Sequence, residues 1–159
     1  MYASRLDIPD HSRKASIHIL QARLSDALDL EVQLKQAHWN VRGMAFFGLH
    51  QLFDRVHDGV ESFADVLAER LTALGGVADG RVQTTAAATT LYEYALETRN
   101  GEDHLRAVAA VLGQFGKAVR SDIDRAAAIP DAGTADVLTE VSRSVDQQLW
   151  FVEAHLEGR

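Results

Sequence analysis

A stretch rich in histidine and carboxylate side chains, residues 36–76, holds the groups best suited to chemistry. His50 lies four residues before Asp54, and Asp65 lies four residues before Glu69. Residues at this spacing share one face of a helix, so each pair could contact one metal ion. Imidazole and carboxylate ligands without sulfur suit Fe(II), Zn(II) or Mn(II) and do not decide among these metals.

The two pairs form one polar stripe, but the stripe is too long for a single ion. Asp54 and Asp65 are 11 residues apart, which corresponds to about three helical turns and a rise of roughly 16 Å. Metal–ligand bonds measure only about 2.0–2.2 Å. The pattern therefore leaves two interpretations open, namely two unrelated sites or two half-sites that another chain completes.

A twofold dimer would satisfy the second interpretation. If the helix packs antiparallel against its copy, His50 and Asp54 of one chain lie beside the acidic pair of the other, and two equal sites form. The axis would pass near Gly59, whose missing side chain would permit close approach of the two helices. His38, at the end of the preceding predicted helix, could join the same site.

Apolar residues at spacings of three and four predict four long helices, with the stripe on the second. Asn100 and Thr134 are the expected N-caps of the third and fourth helices. Gly75 follows the second helix as a stop signal. The helices are predicted at about 16–41, 45–74, 101–128 and 135–156.

The segments outside these helices are a polar N-terminus and a long connection. Residues 1–14 contain Pro9 and are expected to form a tail or arm. Residues 77–100 join the second and third helices, and the sequence LYEYALET at 91–98 predicts a short helix within them. In a four-helix bundle, one long crossover of this kind joins two helical hairpins.

Composition narrows the class of protein. Hydrophobic residues make up 47% and charged residues 25% of the 159 residues, as in ordinary soluble domains. The absence of cysteine excludes disulfides and thiolate metal sites. The net charge of −7 argues against broad contact with nucleic acid phosphates. Because no secretory signal or membrane-length apolar run is visible, we expect one cytoplasmic domain spanning residues 1–159.

Specific sequence motifs in the metal-ligand stretch resemble those of the Dps family, the DNA-binding proteins from starved cells, also called miniferritins. The motifs are KQAHWNVRGMAFFGLHQLFD, DVLAER and LGG, together with TADVLTEVSRSVDQQLWFVEAHLE near the C-terminus. The resemblance implies a ferritin-like four-helix bundle with a short extra helix in the long crossover. It also implies a dodecameric shell, built from twofold dimers, that oxidises Fe(II), preferably with hydrogen peroxide, and stores ferric mineral.

The resemblance assigns roles to individual residues. The implied ferroxidase and iron ligands are His38, His50 and Asp54 from one chain, with Asp65 and Glu69 from its partner. Zinc or manganese are conceivable substitutes for iron. Trp39 matches a tryptophan beside the family site and is a candidate redox neighbour. Candidates for an acidic pore are Asp131, Asp136 and Glu140, and Arg70 and Asp146 are expected to form an ion pair.

The remaining histidines and carboxylates receive structural interpretations. His57, Asp58 and Glu61 match no family ligand and are expected to be interface or solvated residues. The other histidines are expected on the surface, and they are His11, His18, His104 and His155.

One departure from the family concerns DNA. The N-terminal segment is short and nearly balanced in charge, and no lysine-rich tail is present. We therefore do not expect DNA binding to be the main function. The alternative is a nucleoid-associated, DNA-compacting or structural shell whose metal site is a clamp at the dimer interface. An ordinary di-iron bundle within one chain is disfavoured because E-x-x-H motifs are absent.

Overall fold

Helices make up all the regular secondary structure in residues 1–157, the part of the chain that the computed structural model describes. They are α1 (Asp10–Asn40), α2 (Phe46–Ala73), α3 (Val82–Ala88), α4 (Gly101–Ala127) and α5 (Ala132–Glu153). α1 packs along α2 and α4 along α5, while α2 also contacts α5 and α1 contacts α4. The expected all-α four-helix bundle with a short crossover helix is thus confirmed. In the same residues, no helix is long and apolar enough to cross a membrane.

The apolar face of α2 sets the orientation of its polar stripe. The buried residues recur every three or four positions, which returns them to the same side of the helix. Each is at most 5% exposed, and they are Leu49, Phe53, Val56, Val60, Phe63, Leu67 and Leu71. Burial of this face against the other long helices turns the histidine and carboxylate stripe away from the core.

Two side chains occupy environments opposite to those expected. The apolar pattern of the fourth predicted helix includes Trp150 and so predicts a core position for it, but this side chain is 62% exposed. His104 was expected on the surface but is fully buried, with its Nδ1 atom 2.5 Å from the hydroxyl of Tyr94. A buried imidazole needs a polar partner, and the crossover segment supplies one that helical periodicity could not indicate.

The N-terminal segment of the chain packs against the bundle. α1 begins at Asp10, so residues 10–14 are helical and do not form the expected tail or arm. Arg13 is 5% exposed and donates a hydrogen bond to the carbonyl of Leu74 at 3.3 Å. The amide of Tyr2 donates to the carbonyl of Gly75 at 2.6 Å. The segment therefore packs across the C-terminal end of α2.

The short crossover helix forms earlier than predicted. It spans Val82–Ala88, whereas residues 91–98 contain no helix. Hydrogen bonds to side chains of α1 hold the crossover in place directly after α3. The backbone amide of Thr90 donates a hydrogen bond to the buried carboxylate of Asp26 at 2.7 Å. Further along, Gln33 donates its side-chain amide to the carbonyl of Tyr92 at 2.9 Å. These tertiary contacts outweigh the local helix propensity of 91–98.

The start of α5 is organised by Asp131 rather than by Thr134. Asp131 is the N-cap and is 3% exposed. Its carboxylate accepts hydrogen bonds from Ser16 of α1 at 2.7 Å and Arg70 of α2 at 2.5 Å. The expected pairing of Arg70 with Asp146 is therefore wrong. The N-cap prediction for α4 is confirmed, since the Asn100 side chain accepts from the next turn at 2.8 Å.

We expect Asp131→Ala to lower the free energy of unfolding by about 3 kcal/mol, because removing one partner strands the other buried groups. Burial alone would raise the pKa of Asp131, but Thr134, Ser16 and Arg70 outweigh burial and hold this pKa below its ordinary value of 3.8. At a pH above the ordinary value of 3.8, the ionised carboxylate therefore stabilises the fold. Its contribution to the free energy of unfolding is lost as the pH falls through the lowered pKa.

Urea unfolding of the wild type and of Asp131→Ala, at neutral and at acidic pH, measures this effect. The exposed Asp136, one turn into the same helix, provides the matched control Asp136→Ala, which should leave the unfolding midpoint nearly unchanged. A difference between wild type and Asp131→Ala that persisted undiminished at acidic pH would contradict the role given to the ionised carboxylate.

Candidate metal centre

Two histidines meet where α1 ends and α2 begins. The rings of His38 and His50 are stacked with centroids 3.6 Å apart. The Nδ1 atom of each ring lies 2.8 Å from the backbone carbonyl of the other residue. A carbonyl can only accept, so each Nδ1 carries the hydrogen, and each neutral ring keeps its free electron pair on Nε2. This arrangement fixes the tautomer in the way that outer hydrogen bonds orient metal-binding histidines.

Asp54 completes this cluster one helical turn beyond His50. One of its carboxylate oxygens lies 3.8 Å from Nδ1 of His38 and accepts a hydrogen bond from the ammonium of Lys35 on α1. That hydrogen bond is the main reason why the pKa of Asp54 lies below its ordinary value. The carboxylate is therefore ionised at neutral pH. His38, His50 and Asp54 are called the histidine half-site below.

Asp65 and Glu69 lie further along the same exposed side of α2, and they are called the acidic half-site. Both residues are exposed. Within residues 1–157, neither carboxylate has a hydrogen bond or an ion pair. The helical rise of roughly 16 Å between Asp54 and Asp65 keeps the two half-sites apart in one chain. The chain therefore places three of the five expected ligands side by side, although the ligand atoms of these three do not all lie within 4.8 Å of one another. The other two expected ligands lie apart from them.

Large apolar side chains are exposed beside the histidine half-site. Trp39 is 65% exposed, Met44 in the turn before α2 is 108% exposed, and Phe47 in the first turn of α2 is 67% exposed. Exposed apolar side chains grouped in this way mark surfaces that contact other molecules. Their position next to His38 and His50 is consistent with a second protein chain covering this half-site.

Gly59 permits close packing of α2 against α5 within the chain. A Cβ atom at this position would lie 2.7 Å from the side-chain nitrogen of Gln148 on α5. The missing side chain therefore has a role in packing inside the chain. The expectation that a twofold axis passes near Gly59 and brings two copies of α2 together stays a prediction.

A second ligand-type cluster lies between the half-sites. His57, Asp58 and Glu61 offer ligand atoms within 4.8 Å of one another, as no other trio of histidine or carboxylate side chains does in the described residues. Burial, with the negative charge of Glu61, raises the pKa of Glu31 on the adjoining α1, against an opposing effect of His57. Sequence reasoning assigned these residues no ligand role, because no family ligand matches them. The structure adds that they concentrate negative charge along the stripe.

The three pore candidates separate into two groups. Asp131 is buried and its carboxylate is occupied by bonds to Ser16, Arg70 and Thr134, so it is an internal structural residue rather than a pore-lining one. Asp136 and Glu140 are exposed near the start of α5. They remain candidates for an acidic passage.

Comparison with known proteins matches nearly the whole chain. A family model described as a ferritin-like domain matches residues 17–158. The chain is 35% identical over 158 residues to the DNA protection during starvation protein of Agrobacterium fabrum, covering 99% of this chain and 98% of the relative.

Solved structures show the same likeness. Dps from Mycobacterium smegmatis, in its tetragonal form, has a TM-score of 0.92 at 28% identity, covering 99% of this chain and 95% of that one. Dps from Microbacterium arborescens, in a high iron form, has a TM-score of 0.89 at 32% identity, covering 98% of this chain and all of that one. Both half-sites lie within the matched residues 17–158. The sequence and the fold together place this chain in the Dps family of ferritin-like proteins.

Proposed function

We propose that this protein oxidises Fe(II) and stores the ferric product, and that each oxidation site forms between two chains. The observation that carries the proposal is the division of one ligand stripe into a histidine half-site and an acidic half-site on the exposed side of α2. Each half-site has too few ligands to hold two iron ions. Antiparallel packing of α2 against its copy would bring unlike half-sites together twice.

The chemistry follows from the ligand types, with iron as the substrate. Two neighbouring Fe(II) ions each give one electron to the same hydrogen peroxide molecule, which takes up two protons and becomes two water molecules. Because both electrons go to one peroxide, this two-electron route releases no hydroxyl radical, in contrast to the one-electron reaction of peroxide with a single Fe(II) ion. Carboxylates favour the higher charge of Fe(III), while the imidazole nitrogens help to set affinity and position.

Lys35 gives the histidine half-site a defined state before iron binds. Its ammonium neutralises the ionised carboxylate of Asp54. An arriving iron ion would displace this ammonium, so that the cationic side chain and the metal compete for the same oxygen. The two rings hold their Nε2 electron pairs ready through the carbonyl bonds made by Nδ1.

Storage requires a closed shell, and we extend the proposal to a dodecamer built from twofold dimers, with residues 1–159 acting as one ferritin-like domain. Asp136 and Glu140 would attract Fe(II) to a passage through the shell. The relative from Agrobacterium is named for DNA protection during starvation. We attribute such protection here to removal of Fe(II) and peroxide, because the chain is acidic and its N-terminal segment packs against α2.

Loading the purified protein with Fe(II) and hydrogen peroxide in small steps tests this function. We expect a soluble ferric mineral of many iron ions per chain that elutes with the protein on size exclusion. A shell whose metal site is only a clamp at the dimer interface would instead retain about one or two ions for each site. Retention at that low level, with the remaining iron precipitating, would contradict the storage function and favour the structural alternative.

A further inference from the structure

A partly buried tyrosine in the crossover and a fully buried histidine of the core form a pair. His104 of α4 is fully buried, and its Nδ1 atom lies 2.5 Å from the hydroxyl oxygen of Tyr94 in the crossover. The two rings are stacked with centroids 6.0 Å apart. The proposed iron chemistry uses neither residue.

The protonation states of the pair define the direction of its hydrogen bond. Burial raises the pKa of Tyr94, so the phenol keeps its proton at neutral pH. Burial lowers the pKa of His104, against smaller opposing effects of the Asn40 backbone and the Asp103 carboxylate. The phenol therefore donates to Nδ1 of a neutral imidazole. A proton donor and its acceptor are thus already in contact.

The pair lies close to the helix that carries the iron ligands. The ring of Phe53 on α2 is 6.4 Å from the ring of His104, centroid to centroid. Phe53 immediately precedes Asp54 in the sequence, and it faces the core whereas Asp54 faces outward. The Asn40 backbone beside His104 is two residues from His38. The pair therefore lies close to the core side of α2, and Asp54 of the histidine half-site lies on an adjacent, more exposed face of the same helix.

We propose that Tyr94 and His104 act as an internal electron and proton donor that intercepts one-electron oxidants formed at the iron site. The oxidants are hydroxyl radicals, which arise when a single Fe(II) ion gives one electron to peroxide. The source of the oxidant rests on the proposed ferroxidase function, whereas the oxidation of Tyr94 itself does not.

The step balances in atoms, charge and electrons. Tyr94 loses one electron, which reduces the hydroxyl radical to hydroxide. The phenolic proton moves from the Tyr94 oxygen to Nδ1 of His104, leaving a neutral tyrosyl radical and an imidazolium. A positioned proton acceptor of this kind lowers the barrier to a reaction that would otherwise create a buried charge on the phenol. The Asn40 backbone and the Asp103 carboxylate stabilise the imidazolium that results.

The other two tyrosines provide internal controls. Tyr92 is 67% exposed and Tyr2 is 69% exposed, and within residues 1–157 neither hydroxyl is bonded to a histidine. If the position beside His104 determines the reactivity, only Tyr94 should give a long-lived tyrosyl radical. Radicals on the exposed tyrosines should decay quickly, because solvent reaches them. A purely structural role for Tyr94 predicts no such difference between Tyr94 and Tyr92.

Rapid-freeze electron paramagnetic resonance after addition of Fe(II) and peroxide tests the proposal in the assembled protein. We expect a tyrosyl signal in the wild type and in Tyr92→Phe, and its loss in Tyr94→Phe, while all three proteins oxidise Fe(II) at the same rate. His104→Gln should lose the signal although Tyr94 is present. If this buried variant does not fold, Tyr94→Phe, which removes one oxygen atom, still decides the question.

Pulse radiolysis with the azide radical supplies a one-electron oxidant without iron and so separates this proposal from the ferroxidase function. A long-lived tyrosyl absorption that disappears in Tyr94→Phe but not in Tyr92→Phe would support the pair even if the iron assay fails. An absorption unchanged in Tyr94→Phe, or a normal rate of iron oxidation with no Tyr94-dependent signal in either experiment, would overturn the proposal.

Discussion

Replacing both Asp65 and Glu69 by alanine is expected to slow peroxide-driven oxidation of Fe(II) by about tenfold or more, since even the outer partners of metal ligands contribute about 10–100-fold. The acidic half-site supplies the carboxylates that bind the second iron ion and favour its ferric state. Both side chains are exposed and have no partner within residues 1–157, so their loss should leave the fold intact.

Stopped-flow absorbance of the ferric product measures this rate, with size exclusion to establish that the shell still assembles. A matched control replaces Glu153 and Glu157, an exposed acidic pair with the same four-residue spacing at the end of α5. This control removes the same charge but no proposed ligand, and should oxidise Fe(II) at nearly the wild-type rate. Near-normal rates in an intact shell of the Asp65 and Glu69 variant would refute the site.

Co-assembly of two inactive variants is expected to restore activity, which tests whether each site uses two chains. One variant carries His50→Ala and Asp54→Ala, and the other carries Asp65→Ala and Glu69→Ala. In a mixed dimer, one site loses both half-sites, whereas the other joins an intact histidine half-site to an intact acidic half-site. Random mixing makes about half of the dimers mixed, so about one quarter of the wild-type activity should return.

The co-assembly result is decisive because the two variants carry their intact half-sites on separate chains. If all ligands came from one chain, no mixture of the two variants could contain a complete site, and the activity would stay at the background of the separate variants. The mixture is made by unfolding and refolding equal amounts of the two chains together. Each variant refolded alone is the control, and wild type refolded in the same way sets the reference rate. Failure to exceed the background, despite mixed dimers seen by mass spectrometry, would rule out the shared site.

Local helix geometry explains how much of the site the sequence determined. A four-residue spacing places His50 with Asp54, and 11 residues of helical rise separate Asp54 from Asp65 wherever the helix lies in the fold. The structure confirms that α2 spans these positions as one helix and that its buried face leaves the stripe outside. The division of the stripe into two separate ligand groups could therefore be derived without coordinates, as could the cap of α4 at Asn100.

Contacts between residues distant in sequence were decided only by the tertiary structure. Spacing showed where Gly59 lies along α2, but only packing showed that it lies against Gln148 of α5. Arg70 was expected to pair with Asp146, but the packing of α2 against the start of α5 brings it to Asp131.

The path of the crossover likewise could not be predicted from local sequence, because it depends on contacts with side chains of α1 and α4. Helix propensity favoured a helix at 91–98. The hydrogen bonds that Thr90 donates to Asp26 and that Gln33 donates to Tyr92 instead hold the crossover in a non-helical path. The same path brings Tyr94 to His104, which periodicity alone had placed on the surface. Sequence by itself determined the four long helices and the spacing of ligands along one of them, because both depend on local backbone geometry. Tertiary structure decided which buried polar groups are partners, because that depends on how separate elements pack.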